Sequence, residues 1–200
     1  MTTTAPARER LLTAAVEAFA EHGFGATTTR DIASRAGMSP AAVYVHHATK
    51  EQLLFAVSVQ GHEQALTVIE AADAAGTDPV DRVRRMVHAF SHWHAEHSRV
   101  GRVVQYEFGA LTPEHRAVVA RLRRGIERCM RNALADGVDE GVLEVGDVKG
   151  AARAVLSLSI DLVRWFEPGG TRTAADLADL HADLAVRMVR PTRPAGPSGR

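Results

Sequence analysis

The stretch HAFSHWHAEH places His88, His92, His94 and His97 close together. On a helix, His88 and His92 lie one turn apart, a spacing that can hold a metal ion. His94 points to another face, and His97 aligns only in part. The run is not H-E-x-x-H, so ordinary solvent-facing or pocket-lining histidines are the simpler reading. His92, Trp93 or Phe90 would then face a bound small molecule. Cys129 sits among Arg121, Arg123, Arg124, Arg128 and Arg131. Neighbouring cations can lower a thiol pKa, but a lone cysteine on an apolar-periodic helix is usually core. The chain shows no serine elbow, no Walker loop and no Cys–His pair. No catalytic residue, cofactor or metal is therefore assigned. A helical metal-binding or catalytic protein using His88, His92, His94 and His97 stands as the rival reading.

Bulk properties narrow the field without deciding it. The chain has 200 residues, 46% hydrophobic and 24% charged, with zero formal net charge. That is enough to bury a core, and overall charge favours no particular partner. A single cysteine excludes an internal disulfide and fits a reducing cytoplasm. No apolar run approaches the roughly 20 residues of a membrane span. MTTTAPARERLL lacks the apolar centre of a signal peptide. A cytoplasmic chain with no membrane partner is expected.

The elements that would position any site are helices throughout. Leu11, Leu12, Ala15, Val16, Phe19 and Ala20 follow helical spacing from Ala7 to His22, and Gly23 stops that helix. Thr28 or Thr29 can cap a second, with Asp31 in its first turn, ending at Gly37. Ser39 caps a third, with Pro40 at its first position. Thr49 and Gln52 suggest a capping box for a fourth, running to about Ala74. Asp78-Pro79 opens a helix to about His97, a short one covers 100 to 110, and Thr112-Pro113 opens another ending near Asp136-Gly137. Asp147 caps a helix that ends at Glu167-Pro168-Gly169-Gly170, and Thr173 caps the last, ending near Arg190. The expected fold is all-α, with about nine helices. It comprises a three-helix headpiece over 1–49, a helical ligand-binding and dimerisation domain over 50–190, and a Pro/Gly-rich tail, 191–200, expected to be disordered.

Helix two, the turn Gly37-Met38-Ser39 and helix three have the spacing of a helix-turn-helix. Gly37 can take the positive φ of the sharp turn. Pro40, Val43 and His47 share one face and are expected to point inward. Ala41, Ala42, Tyr44, Val45 and His46 then face outward. Two small residues let the backbone approach a groove floor, where their methyls can meet a thymine methyl. Tyr44, His46 and Lys50 are expected at phosphates, Arg30 at a base edge or the backbone, with Thr28, Thr29 and Ser39 alongside.

These residues resemble the DNA-binding segment of the TetR/AcrR family of transcriptional regulators. The family pattern T-x-x-x-I-A-x-x-A-G-x-S-x-x-x-[LV]-Y-x-[HY]-F-x-[SN]-K-x-x-L is met at Thr28, Ile32, Ala33, Ala36, Gly37, Ser39, Val43, Tyr44, His46, Lys50 and Leu53. His47 departs from it, standing where the family usually buries a Phe. The resemblance implies a double-stranded DNA operator as partner, a homodimer, and a small-molecule effector that alters headpiece spacing. One headpiece covers too few base pairs for tight, specific binding. Two recognition helices roughly 34–36 Å apart would meet successive major grooves of a palindrome.

The last two helices are expected to make the dimer contact, as a four-helix bundle in the family, through Val155, Leu158, Leu162, Leu177, Leu180, Leu184 and Met188. Arg153, Arg164 and Arg187 with Asp176, Asp179 and Asp183 are expected at its rim. The stretches around Tyr106-Glu107-Phe108 and Trp165-Phe166-Glu167-Pro168-Gly169-Gly170 resemble family members that sense acyl-CoA in lipid and steroid catabolism. Glu107, Leu111, Pro113, Glu114 and Arg116 fit E-x-x-x-L-x-P-E-x-R, although Val163-Arg164 replaces the usual Asn-containing approach to the tryptophan. An acyl-CoA, or another apolar small molecule, is expected to meet His88, His92, Trp93, Tyr106, Phe108, Arg124, Arg128 and Trp165.

Overall fold

The local signals around Gly37 set the first turn that matters. In the computed structural model, which describes residues 6–190 apart from the His46 side chain, Gly37 has φ +64°. Its N–H donates to Ser34 O (3.1 Å), and Met38 N–H donates to Ala33 O (2.9 Å). Together these close helix α2 (Thr29–Arg35) with a glycine in the left-handed region. Space around the Gly37 Cβ position is open, so a substitution there meets backbone strain alone. Gly37→Val is expected to destabilise the fold by roughly 1–2 kcal/mol, read as a lower urea midpoint. An unchanged midpoint would show that the turn relaxes.

Thr28 caps α2 through a reciprocal box with Asp31. Ser39 accepts from Ala42 N–H and opens α3 (Pro40–His46) with proline at its first turn. Before them, α1 (Ala7–Ala26) is bent at Gly23, where φ is +76°, so the helix continues past the expected stop. After them come α4 (Lys50–Ala74), α5 (Pro79–Glu96), α6 (Ser98–Tyr106), a 3-10 turn (Phe108–Ala110) and α7 (Pro113–Asp139). The chain then forms α8 (Val148–Ile160), α9 (Leu162–Trp165) and α10 (Ala174–Val189). The described residues contain no strand. The expected single helix from Asp147 is two, because Asp161 ends α8 as its C-cap and α9 restarts at once. The tail 191–200 lies outside the described residues.

The chain divides into two compact units: Met1–Leu66 with His97–Arg124, and Thr67–Glu96 with Gly125–Arg200. Helices α4 and α7 contribute to both. In the first unit, Leu11, Phe19, Ile32, Val43, Leu53, Leu54, Val103, Leu111 and Val119 belong to one buried cluster. The core of the headpiece therefore continues across position 49 into α4, α6 and α7. Gly61 is needed where α4 meets α6, since a Cβ there would lie 2.9 Å from Val100. In the second unit, α5 packs on α8, α9 and α10. Three buried side chains join there: Ser91 meets Ser159 at 2.8 Å and His181 Nδ1 at 3.1 Å. Arg82 is held between Asp73 (2.7 Å) and Asp136 (2.5 Å), whose carboxylates raise its pKa.

Candidate functional site

The seven residues of α3 are too few for a helix that stands alone in water. It is held instead by one fully buried anchor, Val43, while Tyr44 is 55% and Val45 83% exposed. Ala41 is exposed, Ala42 half-buried, and Pro40, expected inward, is exposed. The inward face therefore rests on Val43 with help from the half-buried His47. The Tyr44 hydroxyl, near the end of α3, lies 3.2 Å from Thr29 Oγ1 at the start of α2, which puts two hydroxyls on one surface. Arg30 is exposed and makes no ion pair or hydrogen bond among the described residues.

Lys50 departs from the expected role at a phosphate. Its ammonium donates to Phe24 O (2.6 Å), Thr27 O (2.7 Å) and, more weakly, Gly25 O (3.4 Å), and it sits 4.3 Å from the Phe24 ring centroid. An ammonium has three N–H donors, and these carbonyls account for all of them. Lys50 clamps the α1–α2 turn to the start of α4. Thr28 and Ser39 likewise spend their oxygens as helix caps. The His46 side chain lies outside the described residues.

Two further contacts hold the same turn and helix start. Glu107 Oε1 accepts from Phe24 N–H at 3.0 Å. Glu51 Oε1 accepts from Thr112 N–H at 3.0 Å and lies 2.7 Å from His115 Nδ1, whose ring stacks on Phe55. Glu107 and Leu111, two positions of the acyl-CoA-type motif, therefore grip the headpiece and its core.

Deeper in the first unit, α4, α6, α7 and the 3-10 turn meet at Arg123. Arg123 Nε donates to His62 Nε2 (3.0 Å) and Nη2 to Val104 O (2.9 Å), with Phe108 facing the guanidinium at 4.3 Å. His62 Nδ1 contacts Ser58 O at 2.7 Å. A carbonyl only accepts, so Nδ1 carries the proton and Nε2 is the acceptor for arginine. Burial, the largest cause, lowers the His62 pKa from 6.5 to about 4. Between those values the folded chain binds fewer protons at His62 than the unfolded chain. The stability carried by neutral His62 is complete above pH 6.5 and fades as pH falls towards 4, by on the order of 3 kcal/mol. Urea unfolding at pH 7 and pH 4.5 should show that loss. His62→Gln should flatten the slope, and an equal slope in both proteins would assign it elsewhere.

A family model described as bacterial regulatory proteins, tetR family, matches residues 11–57, and one described as tetracyclin repressor-like, C-terminal domain, matches 76–189. The chain belongs to the TetR family. A TetR-family regulatory protein from Rhodococcus RHA1 superposes with a TM-score of 0.89 at 40% identity, over 95% of this chain and 100% of that one. The transcriptional activator FasR of Mycolicibacterium smegmatis is 30% identical over 161 residues, 80% of this chain and 71% of FasR. The transcriptional repressor KstR2 of Rhodococcus jostii is 28% identical over 182 residues, 90% of this chain and 89% of KstR2. This chain is a TetR-family DNA-binding transcriptional regulator. The rival reading through the histidines is not favoured. Among the described residues no cluster of three or more His, Cys, Asp or Glu could hold a metal ion. His88 lies 3.3 Å from Asp179 and His92 3.5 Å from Glu96. Burial, then Asp73 and Glu70, push the Cys129 thiol pKa up rather than down.

The expected effector residues of this TetR-family chain do not converge within either unit. Tyr106, Phe108 and Arg124 fall in the first, and His88, His92, Trp93, Arg128 and Trp165 in the second. Trp93 is buried, Tyr106 and Trp165 are exposed, and Arg124 and Arg128 point to solvent. Arg123, absent from the sequence-derived set, is the arginine of that run that turns inward. Fewer of the residues expected to pair are exposed than the sequence suggested. Val155, Leu162 and Leu177 are 0–1% exposed and belong to the chain's own core, with no surface to offer a partner. Leu158 is half-buried, and Leu180, Leu184 and Met188 form an exposed stripe along α10. The acids expected at the rim are used within the chain. Asp176 closes the α10 capping box, Asp179 meets His88, and Asp183 pairs with Arg84.

Proposed function

We propose that this regulator represses transcription as a homodimer on a palindromic operator and leaves the DNA when a small effector with an apolar body binds. The observation that carries the reading is α3, which turns Ala41, Tyr44 and Val45 to solvent from a headpiece fixed by Val43 and Lys50. Ala41 and Ala42 let the helix backbone come near base edges, Val45 presents an apolar contact, and Tyr44, Thr29 and Arg30 reach the sugar–phosphate backbone. Two copies set about 34–36 Å apart would span one helical repeat.

Release requires an effector that binds one dimer geometry better than the other. The contacts from Glu107 to Phe24 and from Glu51 to Thr112 support a route for that signal, because they tie α6 and the start of α7 to the headpiece turn and to α4. An acyl-CoA remains the proposed effector class, on the strength of the two motif-like stretches. The protein would act in the cytoplasm, where its operator lies, and no described helix is long and apolar enough to cross a membrane.

DNase I footprinting on the region upstream of its own gene tests the reading. The expected result is protection of an inverted repeat with half-sites about one turn apart, weakened steeply by salt and reversed by an acyl-CoA. Run-off transcription should fall when the site is occupied. Absence of any sequence-specific protection would overturn the proposal.

A further inference from the structure

We propose that Arg123 is an anion receptor in this regulator, and that its effector is an amphipath whose apolar chain ends in a carboxylate or phosphate that meets the guanidinium. The inference rests on the reading that the chain answers to a small effector, and it adds the chemistry that the effector must carry.

Another part-buried arginine makes the contrast. Arg82 lies between two carboxylates. Arg123 is buried to a similar degree, yet no carboxylate lies within ion-pairing distance of it among the described residues. Its partners are a neutral imidazole, a carbonyl oxygen and an aromatic face, all without formal charge. A guanidinium carries five N–H donors. Nε and Nη2 each give one to the protein, so three remain for a ligand. A desolvated cation without a counterion is a costly thing to keep in a fold. Burial alone lowers its pKa, with no anion acting against it. The planar fork also suits a carboxylate or phosphate, which it can hold through two parallel bonds. Around it stand Val104 and Phe108, apolar surface for the chain that the anion terminates. His62, which orients the fork, lies on α4 twelve residues from Lys50, the clamp on the headpiece turn. An anion drawn to Arg123 therefore pulls on the helix that carries the reading head.

Isothermal titration of the full-length protein with dodecanoate, dodecanoyl-CoA and dodecanol tests this without DNA. Dodecanoate or dodecanoyl-CoA should bind, and Arg123→Met should weaken that binding roughly 10- to 100-fold, the range of a lost charge-assisted hydrogen bond. Dodecanol should bind both proteins alike and weakly. The anion that binds better identifies the source, carboxylate or CoA phosphate. Arg123→Lys keeps the charge and loses the fork, so it should fall between. The ligand-free melting temperature of Arg123→Met should stay level with wild type or rise. Equal anion binding by wild type and Arg123→Met overturns the proposal, as does failure of both anions to bind wild type. A large drop in melting temperature with unchanged binding also overturns it, and assigns Arg123 a bracing role. Operator footprinting on the same preparation is read separately. Loss of DNA binding refutes the regulator's operator model, whereas intact DNA binding without anion binding refutes only the receptor.

Discussion

Val45→Glu should leave the fold unchanged and remove operator binding. Val45 is 83% exposed, so a polar replacement loses little burial energy, and exposed substitutions of this kind stay within about 0.5 kcal/mol. On DNA the same carboxylate would face a groove lined by phosphates, each helix of the pair bringing one. Val45 makes an apolar contact in this reading, and a carboxylate in its place would desolvate against any base edge that presents an acceptor or a methyl group, the guanine and thymine edges. A loss of at least about 100-fold in specific affinity is expected, equivalent to roughly one or two mismatched base pairs across the whole site. The measurements are fluorescence anisotropy on the footprinted operator and a thermal melt of the free protein. Retained affinity would mean that α3 does not enter the groove, and the DNA model would have to be rebuilt on another surface.

Leu184→Glu should turn a dimer into a monomer. Leu180, Leu184 and Met188 repeat every four residues on α10, and 38%, 39% and 50% of their surfaces are exposed in the single chain. Three large apolar side chains in line are more than a solvated helix face needs. Covering them with a second copy would bury that stripe against itself about a two-fold axis. A glutamate at the central position faces its own symmetry mate, so both repulsion and desolvation oppose pairing. Light scattering on eluting protein should show the mass fall by half at micromolar concentration. Operator affinity should fall with it, because each head then binds alone. Val155→Glu cannot serve the same test: Val155 is fully buried within the chain, and that change would attack the fold first.

The reading head was legible because its determinants are local. A capping threonine, a glycine at the positive-φ turn, a capping serine and a proline at the first helical position each act within four residues. The break at Asp161 was not legible, since α8 and α9 run through one continuous apolar pattern and their separation is decided by packing. Surface open to pairing could not be told from the chain's own core for a related reason. An apolar stripe says that a face is buried, not which partner buries it, so Val155 and Leu177 read like Leu184. Among Arg121, Arg123 and Arg124, all adjacent on one helix, a usable signal did exist. Arg123 is four residues from Val119 and three from Ile126, both buried, which places it on the inward stripe. Lys50 matched the family at its position, but nothing in the sequence could reveal that backbone carbonyls of the α1–α2 turn surround its ammonium.

The triad of Ser91, Ser159 and His181 has a mechanical meaning for how such a protein can respond. A slide of α10 by one turn along α5 would break the Ser91–His181 contact and leave a buried imidazole without that partner. Those helices can therefore tilt as a block but cannot ratchet. If copies pair through the exposed leucines that α10 carries, that contact would keep a constant outline and serve as a fixed pivot.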